Sequence, residues 1–247
     1  MGTRCSRTPV RVFLMEIGKM IEKRPTSEVM NVDCLEYMRS LPDKHFDLCI
    51  ADPPYGINRG GQTKTICKNP KHNRKHFTQK DWDIDIPSEQ IFQELFRVSK
   101  NQVIWGANYF TKHLPKSMGW IVWDKGQHGL SMSDGELAFT SFERALRINT
   151  INRGALAREG TIHPTQKPID LYAWILKNYA HEGDKIFDPF LGSGSSRIAA
   201  YKLGFDFVGC EIDEEYFRLS EERFQRECHG IVKSSSEGTT LQQLSLF

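Results

Sequence analysis

Residues 185–228 run KIFDPF, LGSGS, SRIAAYKLG, FDFVGCEID and EEYFRLSEERFQREC without a pause. An apolar strand enters a glycine turn, a helix follows, a second apolar strand ends on acids, and an amphipathic helix with charge along one face closes the run. Upstream the alternation continues. EVMNVD, CLEYMRSL and FDLCIAD form another strand, helix and buried strand. SEQIFQELFRVS reads as a helix opened by Ser88, and NQVIWGAN, GWIVWDKG and GELAFTSF as further strands. IDLYAWILKNYA is a helix, with Pro168 at a starting position that proline favours. Strands alternating with helices predict an α/β fold, a doubly wound and mostly parallel sheet with ligands at the carboxyl ends of its strands.

The 247 residues suit one domain with elaborations, and the net charge of +2 announces no polyanionic partner for the molecule as a whole. Six scattered cysteines form no CxxC pair, which predicts a reduced cytoplasmic protein without a disulfide framework or structural zinc. RVFLMEIGKM is too short and too interrupted by charge for a signal peptide or a membrane span. Residues 1–27 read as an N-terminal arm, in which Met15 or Met20 could be the natural start. Residues 28–228 read as the folded domain and 229–247 as a flexible tail.

Two stretches carry chemistry. DLCIADPPYG (47–56) ends a buried strand on Asp52, then two prolines that hold the chain extended, then Tyr55. In DPFLGSGSS, Gly192 and Gly194 make a strand-to-helix loop fit for close backbone approach to a ligand. The next strand ends at Glu211, at the spacing where an acid hydrogen-bonds a nucleoside ribose, whereas Asp213 reads as the cap of the following helix. No third glycine at Rossmann spacing and no GxxxxGK[ST] follow, so the loop suits a cofactor with a ribose and no polyphosphate.

DPPY, then HPTQKP, DPFLGSGS and GCEID, in that order, resemble the DNA amino-methyltransferases that use S-adenosylmethionine. With DPPY first and the glycine loop last, the chain is similar to their circularly permuted beta group of N6-adenine and N4-cytosine enzymes. Ser195 stands where many relatives have threonine. The resemblance covers roughly residues 28–228. It implies the Rossmann-like class I methyltransferase fold, S-adenosylmethionine as cofactor and double-stranded DNA as substrate. It assigns the catalytic site to Asp52, Pro53, Pro54 and Tyr55. The Asp52 carboxylate and Pro53 carbonyl would accept the two N–H bonds of an exocyclic amine and free its lone pair, Pro54 would act as scaffold, and Tyr55 would stack on an extruded base. It places Asp33 at the cofactor's adenine, although Asp33 could equally cap the helix from Cys34. Gln166 and Lys167 go to the methionine carboxylate, Asp188 to the methionine end and Phe190 to the pocket wall. His163 reads as a structural histidine in a turn, and Trp105, Phe110 and Trp123 as core.

Residues 56–80 hold seven Lys or Arg, two His and no acid, directly after the catalytic motif. Lys64, Lys68, Lys71, Arg74 and Lys75 are expected to meet phosphates. A zinc site of Cys67, His72 and His76 is a poor reading, with one thiolate amid positive charge. Residues 125–160 are expected to carry part of the sequence-reading surface, with Arg144, Arg147, Arg153 and Arg158 as contacts. At the terminus QLSLF (Gln243, Leu244, Leu246, Phe247) resembles the peptide by which bacterial proteins dock on the sliding clamp. The linker before it, about 15 residues long, would span roughly 20 Å as a coil. The expected activity is methyl transfer to adenine N6, because the motif is DPPY rather than a serine-first version. N4 of cytosine is the alternative, and a non-catalytic DNA- or clamp-binding protein on the same scaffold is the rival of another class. No Pro-Cys dipeptide supports a C5-cytosine route. No membrane partner is expected, and the sequence leaves the oligomeric state open.

Overall fold

A computed structural model of the chain describes residues 24–64, 75–129, 133–152, 154, 159–232 and 242–243. In chain order these form β1 (Ser27–Met30), α1 (Cys34–Arg39), β2 (Phe46–Ala51), α2 (Glu89–Val98), β3 (Ser99–Trp105), β4 (Trp120–Asp124), β5 (Gly135–Thr140) and β6 (Arg147–Thr150). There follow α3 (Ile169–Tyr179), β7 (Lys185–Asp188), α4 (Ser195–Lys202), β8 (Asp206–Cys210) and α5 (Glu214–His229). The sheet order is β1-β8-β7-β2-β3-β5-β4-β6. Only β5 runs against its neighbours. This is the doubly wound and mostly parallel α/β sheet that the sequence predicts.

Helices cover both faces, so the central strands are apolar on both sides. Along β2, Leu48 and Ile50 face a core shared with Leu171 and Ile175 of α3 and Ala199 and Ala200 of α4. Cys49 and Ala51 face the opposite core, with Met38 of α1 and Phe92 and Leu95 of α2. Trp105, Phe110 and Trp123 are buried core residues, as their sequence context suggests.

Three local expectations need correction. The sheet begins at Ser27, inside the stretch read as an arm, and the backbone N–H and hydroxyl of Thr26 both bond Asp206 Oδ1, at 2.7 and 2.8 Å. β6 lies in a region read only as polar. It is an edge strand held by parallel pairing with β4, and its Ile148 is 64% exposed, so no apolar periodicity betrays it. Pro168 occupies the cap of α3, one residue before the helix proper. In the tail, β9 (Ile231–Val232) and β10 (Gln242–Gln243) pair antiparallel. Among the described residues no helix is long and apolar enough to cross a membrane.

Candidate active site

Parallel strands bring their carboxyl ends to one edge, and here four neighbours, β1, β8, β7 and β2, each deliver an acid to it. Asp33 lies three residues beyond β1, Glu211 follows β8, Asp188 ends β7 and Asp52 follows β2.

At Asp52 one carboxylate oxygen is fully engaged. Oδ1 accepts the Tyr55 hydroxyl at 2.7 Å and the Lys167 ammonium at 2.5 Å. Among the described residues no donor reaches Oδ2. Lys167 also donates to the Tyr55 hydroxyl at 3.0 Å and pairs with Glu136 Oε2 at 3.1 Å. Lys125 holds the other Glu136 oxygen at 2.7 Å. Lys167 lies beside the glycine loop, its carbonyl accepting the Ser195 hydroxyl at 2.8 Å, and its long side chain reaches two carboxylates from the turn before α3. Burial pushes Asp52 above the usual carboxylate range, opposed by Lys167 and reinforced by Glu136. Burial also acts upward on Glu136, but the ammonium groups of Lys167 and Lys125 outweigh it and hold Glu136 at about 2. Burial depresses Lys167, but Asp52 and Glu136 outweigh it and raise the ammonium. Glu136 is thus a standing anion, and Asp52 is the carboxylate poised to take a proton.

The Tyr55 ring is fixed from outside its own loop. Tyr109 stacks on it, with centroids 5.2 Å apart at 17°. Gly106, at φ +68°, leaves room beside it that a Cβ would fill to within 2.1 Å of a ring carbon. The loop backbone is fixed by the buried Asp83, which accepts the N–H groups of Tyr55 (2.6 Å), Gly56 (3.0 Å) and Arg59 (2.6 Å). Asp83→Ala strands those three donors and is expected to cost on the order of 3 kcal/mol. For a domain of this size that lowers the melting temperature by roughly 6–12 °C; an unchanged thermal midpoint would contradict the brace.

The glycine loop forms the other half. Asp188 accepts Phe190 N–H at 2.9 Å and the Ser196 hydroxyl at 2.5 Å, and burial pushes its carboxyl up to about 7. The fully buried Arg223 bonds the Ser193 carbonyl (2.9 Å), the Ser195 hydroxyl (2.8 Å) and Glu159 (2.8 Å), which pins the loop to α5. Glu211 accepts Gly192 N–H at 2.7 Å and Asp213 N–H at 2.9 Å, while Asp213 caps α5 through Tyr216 N–H at 3.0 Å. Asp33 caps α1, accepting the N–H groups of Leu35 (2.7 Å) and Glu36 (3.1 Å) through one oxygen. The Gln166 amide braces its own loop, accepting from Ile162 N–H at 3.0 Å and donating to the Gly160 carbonyl at 2.9 Å.

A strap that starts at the end of the basic stretch, at Lys80, and runs on to Trp82 closes over this half. Lys80 pairs with Asp213 (2.7 Å) and Glu215 (2.8 Å) and lies 4.3 Å from the Tyr216 ring. His163 packs between Trp82 (5.0 Å) and Tyr216 (4.3 Å), and burial lowers its imidazole to about 3, so it is neutral. The Trp82 indole N–H is buried beside Tyr216. A Cβ on Gly192 would have His163 as its nearest side-chain neighbour, at 3.9 Å, so the space above the loop is open for a ligand. An open cradle over glycine and an acid at the ribose position fit a nucleoside cofactor.

Of the basic residues, Lys64 is exposed, and Lys75 donates to the Thr161 carbonyl at 2.9 Å, joining the basic segment to the 160s loop. Arg144 bonds the Asn178 carbonyl at 2.6 Å and stacks on Tyr179 at 4.6 Å, at the end of α3 remote from the site. Arg147 opens β6 at the same amino edge of the sheet. Neither joins the carboxyl-end site, because the chain crosses to the opposite edge along the antiparallel β5. Cys67, Lys68, Lys71, His72, Arg74, Arg153, Arg158, Leu244, Leu246, Phe247 and residues 1–23 lie outside the described residues.

Lys125, Glu136, Asp83 and Trp82 escaped the sequence reading. A signal existed for the first two: WDK and GEL put charged residues at the ends of otherwise apolar strands.

Known proteins resemble this chain in sequence and in fold. Residues 100–222 match the family described as DNA methylase, of the N6/N4 methyltransferases, a match that starts downstream of DPPY. The chain is 24% identical over 251 residues to the type II methyltransferase M2.DpnII of Streptococcus pneumoniae, covering 81% of this chain and 90% of that one. It is also 24% identical over 253 residues to M2.MboI of Moraxella bovis, covering 86% and 92%. In structure it superposes on TTHA0409 of Thermus thermophilus, solved with S-adenosyl-L-methionine, at a TM-score of 0.53 and 17% identity, over 83% of this chain and 96% of that one. Family match and relatives support a DNA methyltransferase, and the solved structures show the fold of the class I methyltransferases.

Proposed function

We propose that the protein methylates adenine N6 in a base extruded from duplex DNA, as a circularly permuted, beta-group enzyme. One observation carries this reading: Asp52 has Oδ1 locked by Tyr55 and Lys167 and Oδ2 open among the described residues. An exocyclic amine is a poor nucleophile because its lone pair is delocalised into the ring. Asp52 Oδ2 accepts one of its N–H bonds and the Pro53 carbonyl the other, which draws the nitrogen toward a tetrahedral shape. Bound S-adenosylmethionine would supply the methyl group from its sulfonium, the S–CH3 bond breaking and the sulfur leaving as a neutral thioether. As the N–C bond forms, nitrogen becomes cationic and Asp52 takes its extra proton, leaving the neutral methylamine. The two prolines keep both acceptors rigid, so little geometry has to be gained during reaction. The base stacks on Tyr55 in the position Tyr109 holds here.

The cofactor's ribose lies at Glu211 and its adenine near Asp33, with Asp188, Phe190, Gly192 and Gly194 lining the remainder. The domain of residues 28–228 performs the reaction. Within it the basic 56–80 segment meets phosphates through Lys64, Lys68, Lys71, Arg74 and Lys75, and the 125–160 region reads sequence. The type II relatives support a place in restriction-modification. DPPY favours adenine over cytosine. Expression in a host without adenine or cytosine amino-methylation, followed by nucleoside analysis of its DNA, tests the choice. N6-methyladenine is expected. N4-methylcytosine would replace the assignment, and neither product would overturn it.

The tail adds a partner to this reading. QLSLF, set behind a serine-rich linker, docks on a bacterial sliding clamp and holds the enzyme beside newly made DNA. A pull-down with the clamp should retain the full chain and lose a chain truncated after Thr240; equal retention ends the idea.

A further inference from the structure

The mechanism above uses Asp52 and leaves the charges behind it unexplained. Lys125 follows β4 and Glu136 lies on β5, so both come from strands on the far side of β3 from the DPPY loop. Lys167 has three N–H bonds and three oxygen neighbours, Asp52 Oδ1, the Tyr55 hydroxyl and Glu136 Oε2. Glu136 has two oxygens and two ammonium partners, Lys125 on Oε1 and Lys167 on Oε2. Two carboxylates and two ammonium groups balance at a site where Lys167 is 3% exposed. A buried charge that loses a partner is costly, so each of the four constrains its neighbours.

We propose that Glu136 and Lys125 are positioning residues for methyl transfer: Lys125 fixes Glu136, Glu136 fixes the Lys167 ammonium, and Lys167 turns Asp52 so that Oδ2 meets the target amine. The inference rests on the assignment of Asp52 as amine acceptor. A rotation of the carboxylate about its Cβ–Cγ bond would exchange its oxygens. The hydroxyl and the ammonium, both donating to Oδ1, oppose that rotation. Glu136 in turn keeps Lys167 from leaving its own carbon chain's reach of Asp52 as the site fills.

A purely structural network and a positioning network differ in how the rate depends on pH. Transfer needs ionised Asp52, so the rate falls as pH drops through its pKa. The groups facing Asp52 are Tyr55 on its own loop, Lys167, Glu136 of β5, Asp188 of β7 and Tyr172 of α3. Glu136 is the like charge among them that lifts Asp52, and Lys167 the opposite charge that lowers it. Removing Glu136's charge therefore moves the acid limb to lower pH, and removing Lys167's moves it to higher pH.

The experiment is single-turnover methyl transfer across pH at constant ionic strength, with labelled S-adenosylmethionine and unmethylated DNA. Wild type, Glu136→Gln, Lys167→Met and Lys125→Met are compared, with cofactor affinity and melting temperature measured for each. Rates should fall at least tenfold in all three variants, with cofactor affinity within about twofold of wild type. The acid limb should shift down by about one pH unit in Glu136→Gln and up by about one in Lys167→Met. In Lys125→Met it should also rise, because a Glu136 short of one partner draws Lys167 from Asp52. If Lys167→Met fails to fold, the opposed shifts of the other two carry the test. Slower rates with an unmoved limb, or shifts of one sign in all variants, overturn the inference while leaving the Asp52 assignment intact. A wild type that transfers no methyl group to DNA removes both.

Discussion

Asp52→Ala is expected to lower methyl transfer by about 10³-fold or more and to leave cofactor affinity within about twofold of wild type. Under the proposed mechanism two contributions disappear together, the acceptor that aligns the amine and the base that removes its proton. Neither belongs to the cofactor half, where Glu211 meets Gly192 and Asp213, and Asp188 meets Phe190 and Ser196. Lys167 keeps Glu136 and the Tyr55 hydroxyl as partners, so the buried ammonium is not stranded. Single-turnover transfer paired with equilibrium cofactor binding separates the two effects. A variant that methylates at the wild-type rate removes Asp52 from the mechanism. One that binds cofactor a hundredfold more weakly moves its role to the other half of the site.

Gly106→Ala is the second large effect, and it comes from one methyl group. Gly106 sits at φ +68°, where an L-residue is strained by roughly 1–2 kcal/mol. Its added Cβ would lie 2.1, 2.5 and 2.6 Å from Cε1, Cδ1 and Cζ of Tyr55. Those contacts are far inside van der Waals distance, so the ring has to leave. Its departure breaks the 2.7 Å bond to Asp52 and the 3.0 Å bond from Lys167, and undoes the stacking on Tyr109. Transfer is expected to fall about 100-fold, a loss comparable to that of one preorganised hydrogen bond at a reacting centre. Gly183→Ala is the control. Its φ is +87° but a Cβ there meets nothing within 4 Å, so it carries the backbone strain without touching Tyr55. It should lose stability and keep its rate. Equal rates in the two variants would show that the position of Tyr55 is not required.

The glycine loop and its flanking strands were legible because local sequence decides them. β7 and β8 are buried on both faces and so read as continuous apolar runs, and Asp213 sits where a helix needs a cap. The carboxyl-end location of the acids follows from parallel strands alone. What stayed hidden depends on strand order. Glu136 reaches Lys167 only because β5 inserts antiparallel between β3 and β4, an arrangement no short window encodes. Asp83 braces a loop 28 residues before it in sequence, from a three-residue turn that reads as a polar connection. HPTQKP singles out Lys167 but not its two carboxylate partners, since a buried ammonium between them cannot be told from a surface counter-charge by spacing. β6 was missed for a different reason. An exposed edge strand owes its pairing to main-chain bonds, which leave no pattern of apolar residues.

The central claim is that the Asp52 end and the glycine-loop end form one active site, acting on an exocyclic amine of DNA. It is tested most directly by incubating the purified chain with methyl-labelled S-adenosylmethionine and unmethylated duplex DNA, then digesting the DNA and separating its nucleosides. Label in N6-methyladenine is the predicted result. Label in C5-methylcytosine, or none in the DNA at all, would contradict it.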